Sequence, residues 1–461
     1  MSELERISFG TDGWRDDRQA FTDERVQAVA AAFVHYLNGV DRGDDRIAVG
    51  YDARRDSADI AETMAQTIAS HGYDVWLADR DCPTPAIASV VHEVDLAGGV
   101  MVTASHNPPE YNGIKLIPHG GAPALPAVTD TIEDTLGVEP EDGGDEGQIA
   151  SFDFIDHHVE TIINKVDADL SDLTVAYDAM HGSGRGVTDR ALEAAGAEVI
   201  RLRCDHLEDF GGLSPEPDRH RLESLIDNVT AGDADLGIAN DGDADRVAIV
   251  TPGGFVNAHL LFAVMYEDIL ETQSGPAVRT VSTTFLIDRV AEAHDEAVYE
   301  TAVGFKWVAK AMKEHDALIG GEESGGFTVR GHVREKDGPL AGLLLADAHN
   351  RTPIDHRVDR LLEAFGDIHQ TTESVDCPEE SKAHVLRHLN EHRPSSIAQR
   401  RVDSINDTDG LKFLLEDGSW VLIRPSGTEP KLRVYAEAAH ESDVNALIDS
   451  AKEIVNRSMN D

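Results

Sequence analysis

Cysteine is nearly absent: Cys82, Cys204 and Cys377 are the only three in 461 residues. They are too few and too scattered for a disulfide framework or a Cys-rich zinc site, and a reducing, cytoplasmic setting is expected. Long apolar runs are missing as well. The longest stretches, such as Leu260 to Tyr266, fall far short of the about 18 residues of a membrane span, and no basic stretch followed by an apolar one marks an export signal. A soluble protein with no membrane partner is therefore expected. Positive charge is also scarce, with 40 Lys and Arg against 86 Asp and Glu for a formal net charge of −46. Nucleic acids and anionic membranes would be repelled by such a chain, whereas a small phosphorylated substrate is not excluded. The acidic residues run along the whole length with no tail, which suits a solvated surface in concentrated salt, where the Debye length falls to about 3 Å at 1 M. A salt-adapted host is expected.

What is present reads as several α/β units. Arg46 to Tyr51 predicts a strand, Ala58 to His71 a helix and Tyr73 to Leu77 a strand, the rhythm of a parallel sheet with crossover helices. The rhythm restarts with a strand at Leu173 to Tyr177, a helix within Gly186 to Gly196 and a strand at Glu198 to Leu202. Gly137 to Gly147 is aperiodic and looks like a boundary, Thr251 to Gly254 offers a second break, and a third falls around Phe365 to Ser374. Beyond it the chain turns strand-rich, with Leu411 to Leu415 and Trp420 to Ile423 joined across Asp417-Gly418. The expected domains are 1–147, 148–252, 253–368 and 369–461.

Four segments carry chemistry. Val100 to Val102 leads into Thr103-Ala104-Ser105-His106-Asn107-Pro108, which should expose Ser105 on a loop at the carboxyl end of a strand; taken alone, the segment could also be a polar turn. In Asp241-Gly242-Asp243-Ala244-Asp245-Arg246 the carboxylates occupy alternate positions, so an extended segment would project all three to one side for a hard cation. An EF-hand fits poorly because Arg246 and Pro252 stand where Gly and Glu are needed, so Mg²⁺ with a phosphate ligand fits better, a solvated acidic turn being the alternative. Arg424-Pro425-Ser426-Gly427-Thr428-Glu429-Pro430-Lys431-Leu432-Arg433 combines cations, hydroxyls and a glycine in the manner of a phosphate cradle, the alternative being a Pro/Ser/Gly turn with incidental charges. Gly320-Gly321-Glu322-Glu323-Ser324-Gly325-Gly326 offers carboxylates and a hydroxyl to sugar hydroxyls, though an acidic glycine turn would look the same.

Together, in this order, the four segments resemble the nucleophile, metal, sugar and phosphate loops of the α-D-phosphohexomutase family, and the likeness spans nearly the whole chain. Phe9 to Arg15 is similar to the family's N-terminal segment and would put Arg15 beside a phosphoserine. The resemblance implies an α/β protein of four domains around a central cleft, three related α/β domains and a smaller C-terminal α+β domain. It implies a phosphorylated Ser105 next to His106, one Mg²⁺ per chain held by Ser105, Asp241, Asp243 and Asp245, and a hexose 1,6-bisphosphate intermediate. Sugar and phosphate would be held by Lys306, Glu322, Ser324, Arg424, Ser426, Gly427, Thr428 and Arg433, and Lys336 resembles the family position proposed as general base, although it could be an ordinary surface lysine. Gly304-Phe305-Lys306 and Glu322-Glu323-Ser324 look more like the glucose-type mutases. The expected activity is thus interconversion of glucose 1- and 6-phosphates, with phosphomannomutase and phosphoglucosamine mutase as alternatives, and a non-catalytic phosphosugar-binding protein as the reading from another class. A monomer or homodimer is expected.

Overall fold

In the helix Asp23–Asn38 the apolar residues Val26, Val29, Ala30, Phe33, Val34 and Leu37 recur three and four apart and are all buried, as an amphipathic helix on a sheet requires. They share one apolar cluster with Ile47, Val49, Val100 and Val102 of the adjoining strands, each side chain larger than alanine contributing roughly 1.5–3 kcal/mol by leaving water. The computed structural model describes Leu4 and residues 7–40, 46–140, 145–427 and 429–459.

Four sheets organise the described chain. In the first, Gly98–Val102, Arg46–Tyr51, Asp74–Ala78 and Ile149–Phe152 run parallel, while Tyr111–Pro118 and Trp14–Asp17 continue the sheet antiparallel. The second joins Glu198–Leu202, Thr174–Asp178 and Leu236–Asn240 in parallel, then Val247–Thr251 and Gly254–Val256 antiparallel. The third places Val298–Thr301, Ala277–Thr280 and Ile319–Gly321 in parallel, with Phe327–Val329 antiparallel at the edge. The fourth is antiparallel throughout and runs in space from His369–Asp376 through Lys431–Ala438, Trp420–Pro425, Leu411–Leu415 and Arg400–Asn406 to the short strand Ser396–Ile397. The helices Glu379–Glu391 and Glu441–Ser458 accompany it, and their buried Val385, Leu389, Leu447 and Ile448 share one apolar cluster with Phe413, Ile423 and Val434 of its strands.

Two expected boundaries differ from the sheets. Ile149–Phe152 pairs with Asp74–Ala78, so the first sheet draws its last strand from beyond residue 147. Thr251 to Gly254 is a hairpin turn inside the second sheet, with Thr251 opposite Gly254, because Gly254–Val256 still has an edge to pair with. Residues 141–144 of the Gly137 to Gly147 boundary lie outside the described residues. No described helix is long and apolar enough to cross a membrane.

The loops after Val102, Asn240 and Gly321 leave the carboxyl ends of buried strands in the three α/β units, where open sheets collect ligands. They meet one another: the Ser105 hydroxyl reaches Asp241, and Val247 N–H reaches Gly325 O.

Candidate active site

Ser105 follows the strand Gly98–Val102 and takes a left-handed backbone, φ 52, a conformation that a non-glycine residue holds only when its surroundings impose it. Its N–H donates to Thr103 Oγ1 at 2.8 Å, and its hydroxyl donates to Asp241 Oδ2 at 2.9 Å. The His106 ring lies beside it, Nδ1 at 3.4 Å from the hydroxyl oxygen. Contrary to the exposed loop expected from sequence, Ser105 is 1% exposed, because the second unit's loop packs over it. The glycine at 242 permits that approach: a Cβ there would stand 2.6 Å from the Ser105 carbonyl oxygen.

Asp241, Asp243 and Asp245 are all buried, with ligand oxygens within 4.8 Å of one another. They converge for a different reason from the extended alternation expected. The segment is a tight turn, with Ala244 N–H donating to Asp241 O at 3.1 Å and Ala244 at φ 53, so curvature gathers the carboxylates. Burial, then repulsion from Asp245 and Asp243, pushes the Asp241 carboxyl well above its usual range. Burial also acts upward on Asp245, but Lys115 and Lys336 outweigh it and hold that carboxyl below the usual range. Asp243 Oδ1 and Asp245 Oδ1 are buried without a hydrogen-bond partner, an arrangement costly for bare carboxylates. All-oxygen donors, two of them orphaned within one cluster, fit a hard divalent cation such as Mg²⁺.

Cationic side chains ring the cluster. Lys115 Nζ lies 2.9 Å from Asp12, Asp243 and Asp245, and Lys336 Nζ lies 2.9 Å from Asp245 and 3.6 Å from Asp12. Arg15 donates to Asn107 Oδ1 at 3.0 Å and Asp12 Oδ2 at 3.1 Å. Arg246 Nε stands 3.9 Å from Asp241 and 3.8 Å from Asp245. Although burial opposes it, the attraction of Asp245 and Asp12 raises Lys336 above its ordinary value. Lys336, the general base expected from sequence, thus lies in this centre, where Asp245 and Asp12 favour its charged form. His106 is the opposite case: burial first, then Arg246 and Arg15, depress it well below the usual range and keep the ring neutral.

Glu322, half of the sugar-loop carboxylate pair, is 8% exposed; its Oε1 accepts from Gly304 N–H at 3.0 Å. Burial lifts it to about 7 against the pull of Lys336. Glu323 instead accepts from Thr280 at 3.1 Å, and Ser324 beside it is partly exposed. The glycine at 325 has φ +85, and a Cβ would meet the Val247 carbonyl oxygen at 2.6 Å. That close contact, with Val247 N–H donating to Gly325 O at 3.0 Å, ties the sugar loop to the strand after the carboxylate turn.

Across the cleft a cavity of ≈ 340 Å³ is lined by Gly10, Thr11, Lys306, Trp307, Asp409, Arg424 and Gly427, among others. Arg424 is oriented by Asp409, with Nε at 3.1 Å and the second nitrogen at 3.0 Å. Arg433 pairs with Glu429 at 3.5 Å, and Ser426 is buried. Thr428 lies outside the described residues. Lys306 Nζ reaches Gly10 O at 3.4 Å. The structure thus brings Ser105, Lys336 and the three aspartates, all buried, together with the partly exposed His106 and Arg15 into one centre, and Lys306, Arg424 and Gly427 into a separate cationic pocket.

Sequence reading missed Asp12, Lys115, Arg54 and Lys382. Lys382 braces the phosphate loop by donating to Ser426 O and Glu429 O, both at 2.7 Å. Asp12 lies within the Phe9 to Arg15 segment, so its place beside Arg15 was there to be found; Lys115 and Lys382 carry no local signal.

Four family models match the chain, described as phosphoglucomutase/phosphomannomutase α/β/α domain I at residues 6–141, domain II at 153–254, domain III at 257–365 and the C-terminal domain at 374–454. A Methanopyrus kandleri protein described as "Probable phosphoglucosamine mutase" is 34% identical over 457 residues, covering 97% of this chain and 98% of the relative. A "Phosphoglucomutase/phosphomannomutase" of Thermococcus kodakarensis is 30% identical over 451 residues, covering 96% of each. Among solved structures, a phosphoglucomutase/phosphomannomutase family protein from Burkholderia thailandensis superposes with a TM-score of 0.85 at 21% identity, covering 99% of this chain and 98% of that one.

Proposed function

The chain belongs to the phosphoglucomutase/phosphomannomutase family of α-D-phosphohexomutases, and we propose that it moves a phosphoryl group between the 1 and 6 oxygens of a hexose phosphate, with glucose 1-phosphate as substrate. The observation that carries this reading is the Ser105 hydroxyl, 2.9 Å from Asp241 in a buried, cation-ringed carboxylate turn.

Each half-reaction exchanges one P–O bond for another. Phosphorylated Ser105 gives its phosphoryl group to a sugar hydroxyl, so the Ser105 Oγ–P bond breaks as the sugar O–P bond forms. The proton lost by the sugar hydroxyl is the one that Ser105 Oγ must regain. The His106 ring, with Nδ1 3.4 Å from Ser105 Oγ, stands nearest to hand that proton back to the serine. Lys336, Lys115 and Arg15 supply positive charge around the transferring oxygens. Asp241, Asp243 and Asp245, with an oxygen on Ser105, would hold one Mg²⁺, which when bound draws charge from the phosphoryl oxygens. The hexose 1,6-bisphosphate formed midway turns over, and Lys306, Arg424 and Gly427 hold whichever phosphate is not reacting; Arg424 suits that task because its fork bonds a phosphate through two parallel hydrogen bonds.

The partly exposed Ser324 and the buried Glu322 face the sugar in this reading. Initial rates on the 1-phosphates of glucose, mannose and glucosamine test it. Glucose 1-phosphate should be turned over fastest. The names carried by relatives such as the Methanopyrus kandleri protein favour a second reading, and glucosamine 1-phosphate turned over fastest would establish it. No turnover with any of the three would leave a phosphosugar-binding protein.

The same proposal places the enzyme in concentrated salt and in the cytoplasm. With a formal net charge of −46, unscreened like charges repel over about 10 Å at 0.1 M but only about 3 Å at 1 M. The melting temperature should rise by about 10 °C between about 0.1 M and about 3 M KCl. A midpoint indifferent to KCl over that range would contradict the salt-adapted surface.

A further inference from the structure

The Ser105 peptide is gripped at both ends by one buried network. On the amide side, Ser105 N–H donates to Thr103 Oγ1 at 2.8 Å, and the Thr103 hydroxyl donates to Asp52 Oδ2 at 2.7 Å. On the carbonyl side, the Arg54 guanidinium donates to Ser105 O, to Asn107 O at 2.6 Å, to Pro108 O at 2.7 Å and to Tyr111 O at 3.1 Å. Arg54 Nε donates to the same Asp52 oxygen at 2.9 Å, which closes the ring. Arg54 and Asp52 are 3% and 1% exposed. The Phe210 ring of the second unit covers the guanidinium with its centroid 4.9 Å from Cζ.

We infer that Arg54 is a positioning residue for phosphoryl transfer, one that sets the place and direction of the Ser105 oxygen by holding the backbone carbonyls of the nucleophile loop. The inference rests on Ser105 as the phosphoryl carrier. A left-handed serine is strained against an ordinary backbone and relaxes unless held. Five donors fixed in a plane can serve four carbonyls and a carboxylate together. A lysine ammonium, with three donors and no fork, keeps the charge beside Asp52 but cannot span the loop. The Ser105 carbonyl also abuts Gly242 of the carboxylate turn, so a loop that drifts moves the serine oxygen relative to Asp241 as well. Phosphoryl transfer depends on in-line placement, and a displacement of about 1 Å can lower a rate about 100-fold.

Arg54→Lys is the test. Its kcat should fall about 100-fold with KM within about twofold of wild type, and the single-turnover rate from isolated phosphoenzyme to hexose phosphate should fall by the same factor. A brace that only stabilised the fold would lower the melting temperature while the folded enzyme kept its kcat. A folded Arg54→Lys enzyme with kcat within about threefold of wild type would overturn the inference, as would a loss confined to KM. Ser105→Ala in the same assay separates the two readings: activity surviving there removes the nucleophile, whereas an inactive Ser105→Ala beside a fully active Arg54→Lys removes only the role of Arg54. Should Arg54→Lys not fold, the Asp52→Asn/Arg54→Gln double variant removes both buried charges while leaving amides in their place, and the same two outcomes in kcat decide the matter.

Discussion

Replacing Ser105 by alanine should lower mutase turnover by at least about 10⁴-fold while leaving the fold almost untouched, because it deletes the oxygen that carries the phosphoryl group. Few interactions depend on that oxygen: it donates to Asp241 and neighbours the His106 ring. The left-handed backbone at φ 52 is no worse for alanine than for serine, since both carry a Cβ, and the supporting N–H bond to Thr103 survives. The freed Asp241 oxygen loses one donor but keeps the Arg246 guanidinium, whose Nε stands 3.9 Å away. Initial rates, melting temperature and intact mass together decide the outcome. The wild type should contain a fraction heavier by one phosphoryl group, mapping to Ser105, and the variant should contain none. An alanine variant with full activity would remove the phosphoserine mechanism.

The motifs were legible where one short segment holds all the chemistry. Asp241, Asp243 and Asp245 announce a cation because three carboxylates within five residues have few other uses between two apolar strands. Even so, the reason for their convergence was misread, since alternation in an extended chain and curvature in a turn leave the same spacing in sequence. Strands such as Arg46–Tyr51, Glu198–Leu202 and Leu411–Leu415 were legible from apolar runs bounded by turn residues. Lys115 was not, because its partners are distant in sequence, Asp12 in the N-terminal segment and Asp243 and Asp245 128 and 130 residues away. Arg54 was not, because most of its partners are backbone carbonyls, which carry no side-chain signature at all. The surroundings of Lys336 are likewise a product of assembly: in sequence it is a lysine between two acidic residues, and only the fold sets Asp245 at 2.9 Å from it. Burial of Ser105 beneath the second unit required the same knowledge of what packs on what.

Withdrawing divalent cation should stop turnover, and Mg²⁺ should restore it in wild type but not in Asp243→Asn. The charges around the turn give the reason. Four carboxylates, Asp12, Asp241, Asp243 and Asp245, are faced by four cationic side chains, Lys115, Lys336, Arg15 and Arg246. Unphosphorylated, the centre is close to balance. Phosphorylating Ser105 adds about −1.5 to −2 beside Asp241, and like charges about 4 Å apart cost about 4 kcal/mol at an effective dielectric constant of about 20. A divalent cation held by Asp241, Asp243, Asp245 and the phosphate would offset the part of that excess that the side-chain cations, each shared with a carboxylate, leave unmet. Mg²⁺ should therefore bind the phosphorylated enzyme at least about tenfold more tightly than Ser105→Ala, and at about 100 times its dissociation constant it should stabilise the phosphorylated fold by about 2.7 kcal/mol. Calorimetric titration and melting curves with and without Mg²⁺ measure both effects independently of activity. Asp243→Asn keeps the size of the side chain but removes one charge and one of the orphaned carboxylate oxygens, and it should lose the Mg²⁺-dependent stabilisation along with turnover. Undiminished activity in excess chelator would remove the metal from the reaction, and equal Mg²⁺ affinity in the two forms would show that the carboxylate turn, not the phosphoserine, sets the demand for a cation.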